Sequence, residues 1–349
     1  MNLIRLDMKT RLYCIIVCIV LFSCGHTEKC EDSIPNIIFE TDMGNDVDDA
    51  MALDLLYKYM DAGKINLLGI TINKEGTAPA EFVDVMGTWY GYPDIPVGII
   101  RGGADCETDA INYAEAVVGL KGEDGSPLFA RSHGDYENYP EAHRLYRKIL
   151  SGMPDNSVTI VSVGFSTNLK RLLETGPDEY SSLTGEELVA QKVKLLCTMA
   201  GCMNNKELCE YNVVKDIDAA RKVFSEWPTP VVTSPFEVGM MIEYPAGSIE
   251  NDFLWAEHHP MVEAYRSYLP MPFNRPTWDL TAVLYCVENS PEFFTESPKG
   301  VIEVADNGST IFTETPDGNR SYLITDDVQA ANIRKYFVSE LTKIPKNRR

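Results

Sequence analysis

The stretch ETDMGNDVDDAMAL at residues 40–53 constrains this chain more than any other. Four aspartates, Asp42, Asp46, Asp48 and Asp49, fall within eight residues. They follow the apolar run Ile37-Ile38-Phe39 and precede a segment with helical patterning. A short apolar run bounded by polar residues reads as a buried strand, which places the acids at a strand-to-helix corner. Several carboxylates on one turn repel one another unless a cation or protons intervene. A hard divalent cation with oxygen ligands is the natural solution. The helix macrodipole also favours acids in a first turn, which accounts for Asp48 and Asp49. It accounts less well for Asp42, which directly follows the strand.

Downstream, apolar runs alternate with helical patterns: INLLGITI and APAEFVDVMGTWYG, IPVGII, VTIVSVG and STNLKRLLETG, VKLLCTMAG, then DIDAARKVFSEW and TPVVTS. Short buried strands alternating with helices predict an α/β fold, a doubly wound and mostly parallel central sheet with helices on both faces. Ligands in such sheets sit beyond the carboxyl ends of the strands, where the aspartates fall. Near the C-terminus, GVIEVADNGSTIFTETPDGNRSYLI reads as small antiparallel hairpins turning at Asn307-Gly308 and Asp317-Gly318. The chain is 44% hydrophobic, enough for a full core. No repeat or low-complexity linker interrupts residues 35–343, which read as a single domain.

Residues 1–23 read as a signal peptide. Arg5, Lys9 and Arg11 precede the apolar LYCIIVCIVLF, which is too short to span a bilayer comfortably. The segment ends in Leu21-Phe22-Ser23-Cys24-Gly25, which resembles a bacterial lipobox. Cys24 is therefore the expected lipidation site and residues 25–34 a short tether. The expected protein is exported and membrane-anchored, on the periplasmic or cell-surface side, touching the membrane through its lipid alone. A net charge of −21 argues against nucleic acid as a partner, since phosphate binding needs clustered Lys and Arg. Beyond the leader, Cys30, Cys106, Cys197, Cys202, Cys209 and Cys286 show no CxxC pair or matching His cluster. They read as buried free thiols, with a disulfide left open. His258-His259, in WAEHHPMVEAYRSYL, is expected on a solvated helix.

Several motifs are excluded. An EF-hand loop starting at Asp42 needs Gly at its sixth position and Glu at its twelfth, where Val47 and Leu53 stand. Neither a GxxxxGK[ST] phosphate loop nor a GxSxG nucleophile elbow is present. A dehalogenase-type phosphatase opens with strand-DxDxT, and Asp42-Met43-Gly44 lacks the second Asp and the Thr.

Strand followed by DxDxGxDDxxAL is the opening signature of the inosine-uridine-preferring nucleoside hydrolases, which this chain resembles. Here it stands as Glu40-Thr41-Asp42-Met43-Gly44, then Asp48-Asp49-Ala50-Met51-Ala52-Leu53. Gly69-Ile70-Thr71 and Asp94-Ile95-Pro96-Val97 are similar to the family's second and third strands. Val161 to Leu169 is similar to its TGPLTNL turn. Asn204 with Glu210-Tyr211-Asn212 is similar to its Asn…Glu-Phe-Asn segment, and Trp278-Asp279-Leu280-Thr281-Ala282 to its His-Asp-Pro-Leu-Ala. The resemblance implies hydrolysis of the N-glycosidic bond of a nucleoside or related N-riboside by a calcium-bound water. It implies Asp42 as general base and metal ligand, with Asp49, Asp279 and the Val163 carbonyl completing the Ca2+ site. It implies ribose contacts from Asp48, Asn204, Glu210 and Asn212, with Asn73 as a further ribose-side residue. Trp278 either stacks on the base or packs in the core.

Three departures from the family pattern stand out. Glu40 and Met43 replace Asp and Pro, and the loop before the Asp pair is two residues longer, so either Asp46 or Asp48 is the ribose-binding carboxylate. Trp278 replaces the His that is the candidate leaving-group acid, leaving His133, Tyr136 and Arg275 as other donors. The flap after the third strand is not clearly matched at 119–136. The alternative reading is a calcium-dependent ribosyl-binding lipoprotein without turnover; a dehalogenase-type phosphatase is a more remote one. A homo-oligomer is left open.

Overall fold

A computed structural model describes residues 34–104 and 112–349. The leader, Cys24, nearly all of the tether, Cys30 and Cys106 lie outside the described residues. Among those described, no helix is long and apolar enough to cross a membrane.

The first half of the chain runs β1 (Asn36–Thr41), α1 (Asp48–Ala62), β2 (Asn66–Ile72), α2 (Ala78–Tyr90), β3 (Val97–Gly98), α3 (Tyr113–Val118) and α4 (Ala142–Ser151). It continues through β4 (Val158–Ser162), α5 (Thr167–Leu173), α6 (Gly185–Lys192), β5 (Val193–Met199), α7 (Tyr211–Lys215), α8 (Ile217–Glu226) and β6 (Val231–Ser234). A capping segment follows: α9 (Phe236–Met240), β7 (Glu243–Tyr244), α10 (Ala246–Asn251), α11 (Pro260–Tyr268) and β8 (Arg275–Pro276). The chain closes with α12 (Trp278–Val287), β9 (Thr295–Glu296), β10 (Gly300–Val304), β11 (Thr310–Glu314), β12 (Arg320–Ile324) and α13 (Asp327–Leu341).

The main sheet has the order β11-β10-β12-β6-β5-β4-β1-β2-β3, and its strands from β12 to β3 run parallel. Chain order therefore reverses between β1 and β4, the point where a doubly wound sheet opens a crevice. Because helices cover both faces, the central strands are apolar on both sides. Ile37 and Phe39 join one core with α1, α2 and α12, while Ile38 joins a second with α4, α5, α6 and α8. The alternation within three residues is the pleat of β1 read directly.

Two expectations change. The β10–β11 hairpin forms about the Asn307-Gly308 turn, but β12 does not pair with β11. It crosses to the other side of β10 and aligns parallel with β6, because the main sheet offers an open edge there. His259 is not on a solvated face. It sits immediately before α11, fully enclosed by Trp89, Tyr90, Phe253 and Trp255, and burial pushes its imidazole well below its ordinary pKa. The four described cysteines are free thiols; Cys197 and Cys202 are buried, Cys209 and Cys286 half-buried.

β1 also carries a buried acid. Glu40 accepts hydrogen bonds from Tyr146 Oη at 2.9 Å and Ser162 Oγ at 3.0 Å, joining β1 to α4 and β4. Burial raises its pKa from 4.5 to about 7, with these hydroxyls opposing the shift. The folded state therefore holds the proton more tightly than the unfolded chain, and stability falls as pH rises between those two values. Glu40→Gln removes this titration. Its stability relative to the parent should rise by on the order of 3 kcal/mol from pH 4.5 to above 7, read by urea denaturation. A parent-to-variant difference that stays flat across that range would show that Glu40 ionises normally.

Candidate functional site

The acidic corner lies where β1 ends, at the crevice beside β4. Asp42 follows β1 directly, and Asp48 and Asp49 form the first turn of α1. Asp279 arrives from the far end of the sequence, in the first turn of α12. Two helix N-termini thus present their positive ends to one acidic cluster. Asp42, Asp48, Asp49 and Asp279 are each at most 5% exposed.

Burial on this scale disfavours ionisation. Burial raises Asp42 to about 7, opposed by the charge of Lys74 and reinforced by Asp46 and Glu210. Asp48, Asp49 and Asp279 are pushed well above their ordinary range, first by burial and then by neighbouring carboxyls: Asp46 for Asp48, Asp42 and Asp48 for Asp49, and Asp48 and Asp49 for Asp279. Local partners hold two of them: Thr41 Oγ1 donates to Asp49, and the Asp279 amide donates to Asp48 Oδ2 at 3.0 Å.

β1 and β4 meet closely here. A Cβ on Gly164 would stand 2.7 Å from both Asp42 N and Asn73 Oδ1, so only glycine lets the two strand ends approach. Asn73 is buried beside Asp42, donates to Phe165 O at 2.7 Å and leaves its Oδ1 without a partner. It does not line the cavity in front of Asp42.

That cavity has a volume of about 600 Å³. Its acidic floor includes Asp42, Asp46, Asp48, Glu210 and Asp279, with Val163 and Asn212 beside them. Glu210 caps α7: its carboxylate accepts from the amides of Asn212 at 2.8 Å, Gly201 at 3.0 Å and Val213 at 3.3 Å. Burial nevertheless raises Glu210 to about 7. The cap aims Asn212, whose Nδ2 donates to the carbonyls of Val163 at 3.0 Å and Met199 at 3.1 Å. The aromatic walls are Tyr211, Phe236, Tyr268 and Trp278.

Asp46 and Asp48, left as alternatives by the sequence, have different surroundings. Asp48 is enclosed, whereas Asp46 takes a two-pronged bond from Arg275, one arm at 2.8 Å. This pair ties the longer loop to β8 in the capping segment. Arg275 also lies over the rings of Tyr268 and Trp278, at 4.9 and 5.0 Å. Asn204 is exposed and outside the lining; its amide donates to Glu237 at 3.1 Å. His133 and Tyr136 are also elsewhere, bonded to Pro93 O and to Asp84. Their segment packs against α2, with Arg131 bonded to Glu81, so it does not close over the cavity.

Sequence reasoning missed Asn45, Met199, Leu208, Phe236 and Tyr268 on the lining. Asn45 had a signal: it belongs to the lengthened loop, and its Nδ2 donates to Tyr211 Oη at 3.2 Å. The apolar members carry none, because only the fold brings them together.

The donor types, carboxyl and carbonyl oxygens throughout, suit a hard divalent cation, and mutual repulsion among buried carboxyls supplies a reason to hold one. Among the described residues, no group of three or more His, Cys, Asp or Glu is arranged so that it could hold a metal ion as it stands. Asp48 and Asp49 are turned to the backbone and hydroxyl partners described above.

The family model for inosine-uridine preferring nucleoside hydrolases matches residues 37–335. No curated protein matches the chain. Among solved structures, a plant nucleoside hydrolase superposes with a TM-score of 0.66 at 17% identity, covering 88% of this chain and 98% of that one. The purine-preferring ribonucleoside hydrolase from Gardnerella vaginalis gives 0.65 at 16% identity, with the same coverage of 88% and 98%. An inosine-guanosine nucleoside hydrolase gives 0.65 at 20% identity, again over 88% and 98%. At these identities the superpositions speak to the fold, which they share with the doubly wound sheet described above. The match to the family model spans most of the sequence, and the chain belongs to the inosine-uridine preferring nucleoside hydrolase family.

Proposed function

We propose that this chain is an exported, lipid-anchored hydrolase that splits the N-glycosidic bond of a nucleoside or related N-riboside, releasing base and ribose. One observation carries the reading. Buried carboxyls from β1, α1 and α12 converge at the switch point of the sheet, on the floor of a cavity walled by aromatic rings. Family membership supports it, since the family acts on nucleosides and is metal-dependent.

The roles follow from what each group can do. Breaking the bond builds positive charge on the ribosyl ring, and closely placed carboxylates stabilise it. Asp42 lines the cavity, where its carboxylate can accept a proton from an attacking water. Asp48, Glu210 and Asn212 hold the sugar hydroxyls, and Asn73 fixes the strand end behind Asp42. A single displacement by water inverts the anomeric centre. Asp42, Asp49, Asp279 and the Val163 carbonyl would hold calcium, which when bound offsets the repulsion among the carboxylates and makes a water more acidic. The second reading, ribosyl binding without turnover, rests on Trp278: the indole N–H already donates to Phe236 O at 2.9 Å, so it offers no proton to a departing base.

The test is reducing-sugar release from a panel of nucleosides, with calcium and with a chelator. Release is expected only with calcium, and Asp42→Asn should lower kcat by about 100-fold or more. Tight calcium binding with no sugar release from any riboside would establish the binding protein instead. Anchoring is tested separately: Cys24→Ala should move the protein from the membrane to the soluble fraction of cells. Retention of that variant in the membrane would show that Cys24 does not carry the anchor.

A further inference from the structure

We propose that the protein carries a second binding site, away from the acidic corner, for a small flat aromatic carboxylate with a neutral hydrogen-bonding atom at its far end, such as 4-hydroxybenzoate. The site is a cavity of about 380 Å³ beside the edge strand β3. None of its lining residues lines the cavity over the acidic corner. Side chains from α1, α2 and α4 enclose it, with the loop leading into β3 and the segment at 133–140. This site does not depend on the hydrolase reading.

The walls are fixed by hydrogen bonds. Asp84 of α2 is buried and accepts from Ser132 N at 3.2 Å, His133 N at 3.0 Å and Tyr136 Oη at 2.7 Å, which pins the outer segment to the helix. His133 Nε2 meets Pro93 O at 2.8 Å and joins that segment to the loop before β3. Tyr92, Tyr139 and Tyr180 line the cavity with Ile95, Pro96 and Leu145, a surface that suits a flat ring. One polar group inside is unmatched. Tyr57 belongs to the lining and is 1% exposed, yet its hydroxyl has no hydrogen-bond partner among the described residues. A hydroxyl taken out of water without a partner is costly, and a ligand atom there removes the cost. Gly87 keeps the place open: a Cβ on it would stand 3.3 Å from Tyr57 Oη and 3.1 Å from Tyr92 O.

Charge sets the direction in which a ligand enters. Burial, then Asp84 and Asp54, push the Tyr57 hydroxyl above its ordinary range, so it keeps its proton. The same two acids disfavour an anion at this inner end. The mouth has the opposite character. Arg144 and Lys148, one turn apart on α4, both line the cavity and are exposed. Arg144 pairs with Glu179, while Lys148 has no ion pair among the described residues. Asp94 is the lining's exposed acid, against these two cations. In a chain of net charge −21, a lysine left unpaired beside a ring-lined cavity selects for an anionic ligand. The ring therefore enters first, its neutral end meets the Tyr57 hydroxyl, and the carboxylate stays outside at Lys148.

The experiment is titration calorimetry of the intact protein with 4-hydroxybenzoate, benzoate and the neutral 4-hydroxybenzamide, repeated for Lys148→Glu and Tyr57→Phe. One 4-hydroxybenzoate is expected to bind, with a Kd of about 1 mM or below. The amide should bind about 5-fold more weakly, and Lys148→Glu, an exposed change that leaves the core intact, should weaken the carboxylate by a similar factor. Tyr57→Phe should weaken 4-hydroxybenzoate about 5-fold and leave benzoate unchanged, because the far end of benzoate carries no polar atom. That contrast separates a lost hydrogen bond from a disturbed cavity. Absence of binding at ten times the expected Kd, or binding indifferent to both substitutions, overturns the site.

Discussion

The structure turns on the enforced proximity of carboxyl groups at the end of β1. Water would separate and solvate them; the fold instead buries four, from three segments of chain, behind a cavity floor. Burial raises the proton affinity of each, and neighbouring carboxyls raise it further, so the arrangement persists only because the rest of the molecule holds it. β1 is fixed on both sides by β2 and β4, and α1 and α12 bring their N-termini to the same point. Strain of this kind, maintained by a rigid scaffold, is where chemistry is commonly found.

Around that floor the molecule is organised in two tiers. The lower tier is sheet and helix, fixed by cores on both faces. The upper tier is assembled from short elements, α7, α9 and the β7–β8 segment, which supply Tyr211, Phe236, Tyr268 and Arg275, while Trp278 comes from the start of α12. The ion pair of Asp46 with Arg275 joins the tiers across 229 residues of sequence. It makes the loop that carries Asp46 part of the cavity wall. Through it the loop before α1 reaches the capping segment.

The lower tier was legible in the sequence. β1, α1, β2, α2, β4, α5, β5, α8 and β6 each follow from an apolar run or an amphipathic period bounded by polar turns. The acidic corner was legible for a different reason, since the helix macrodipole that accounts for Asp48 and Asp49 accounts less well for Asp42. The upper tier was not. Its elements are five to nine residues or shorter, and their identity as walls depends on which distant segments meet. Asn204 shows the limit from one side: its spacing to Glu210 matches a family pattern, yet it is exposed outside the cavity lining. His259 shows it from the other, because a pair of histidines before a proline reads as surface until Trp89 and Trp255 close over one of them. β12 likewise obeys its hairpin turn locally but answers to a vacant sheet edge.

The contact at Gly164 links the making of the fold to its use. Side chains alternate along a strand, so a slip of β1 by one residue against β4 would carry Asp42 to the opposite face of the sheet and move it by about 3.3 Å. In the native register Gly164 meets Asp42 and Asn73 with no slack, because even one added carbon collides with both. The contact that lets the ends of β1 and β4 meet is thus the same one that sets Asp42 at the acidic corner, so a side chain at Gly164 that parted the strand ends would displace the carboxyl with them.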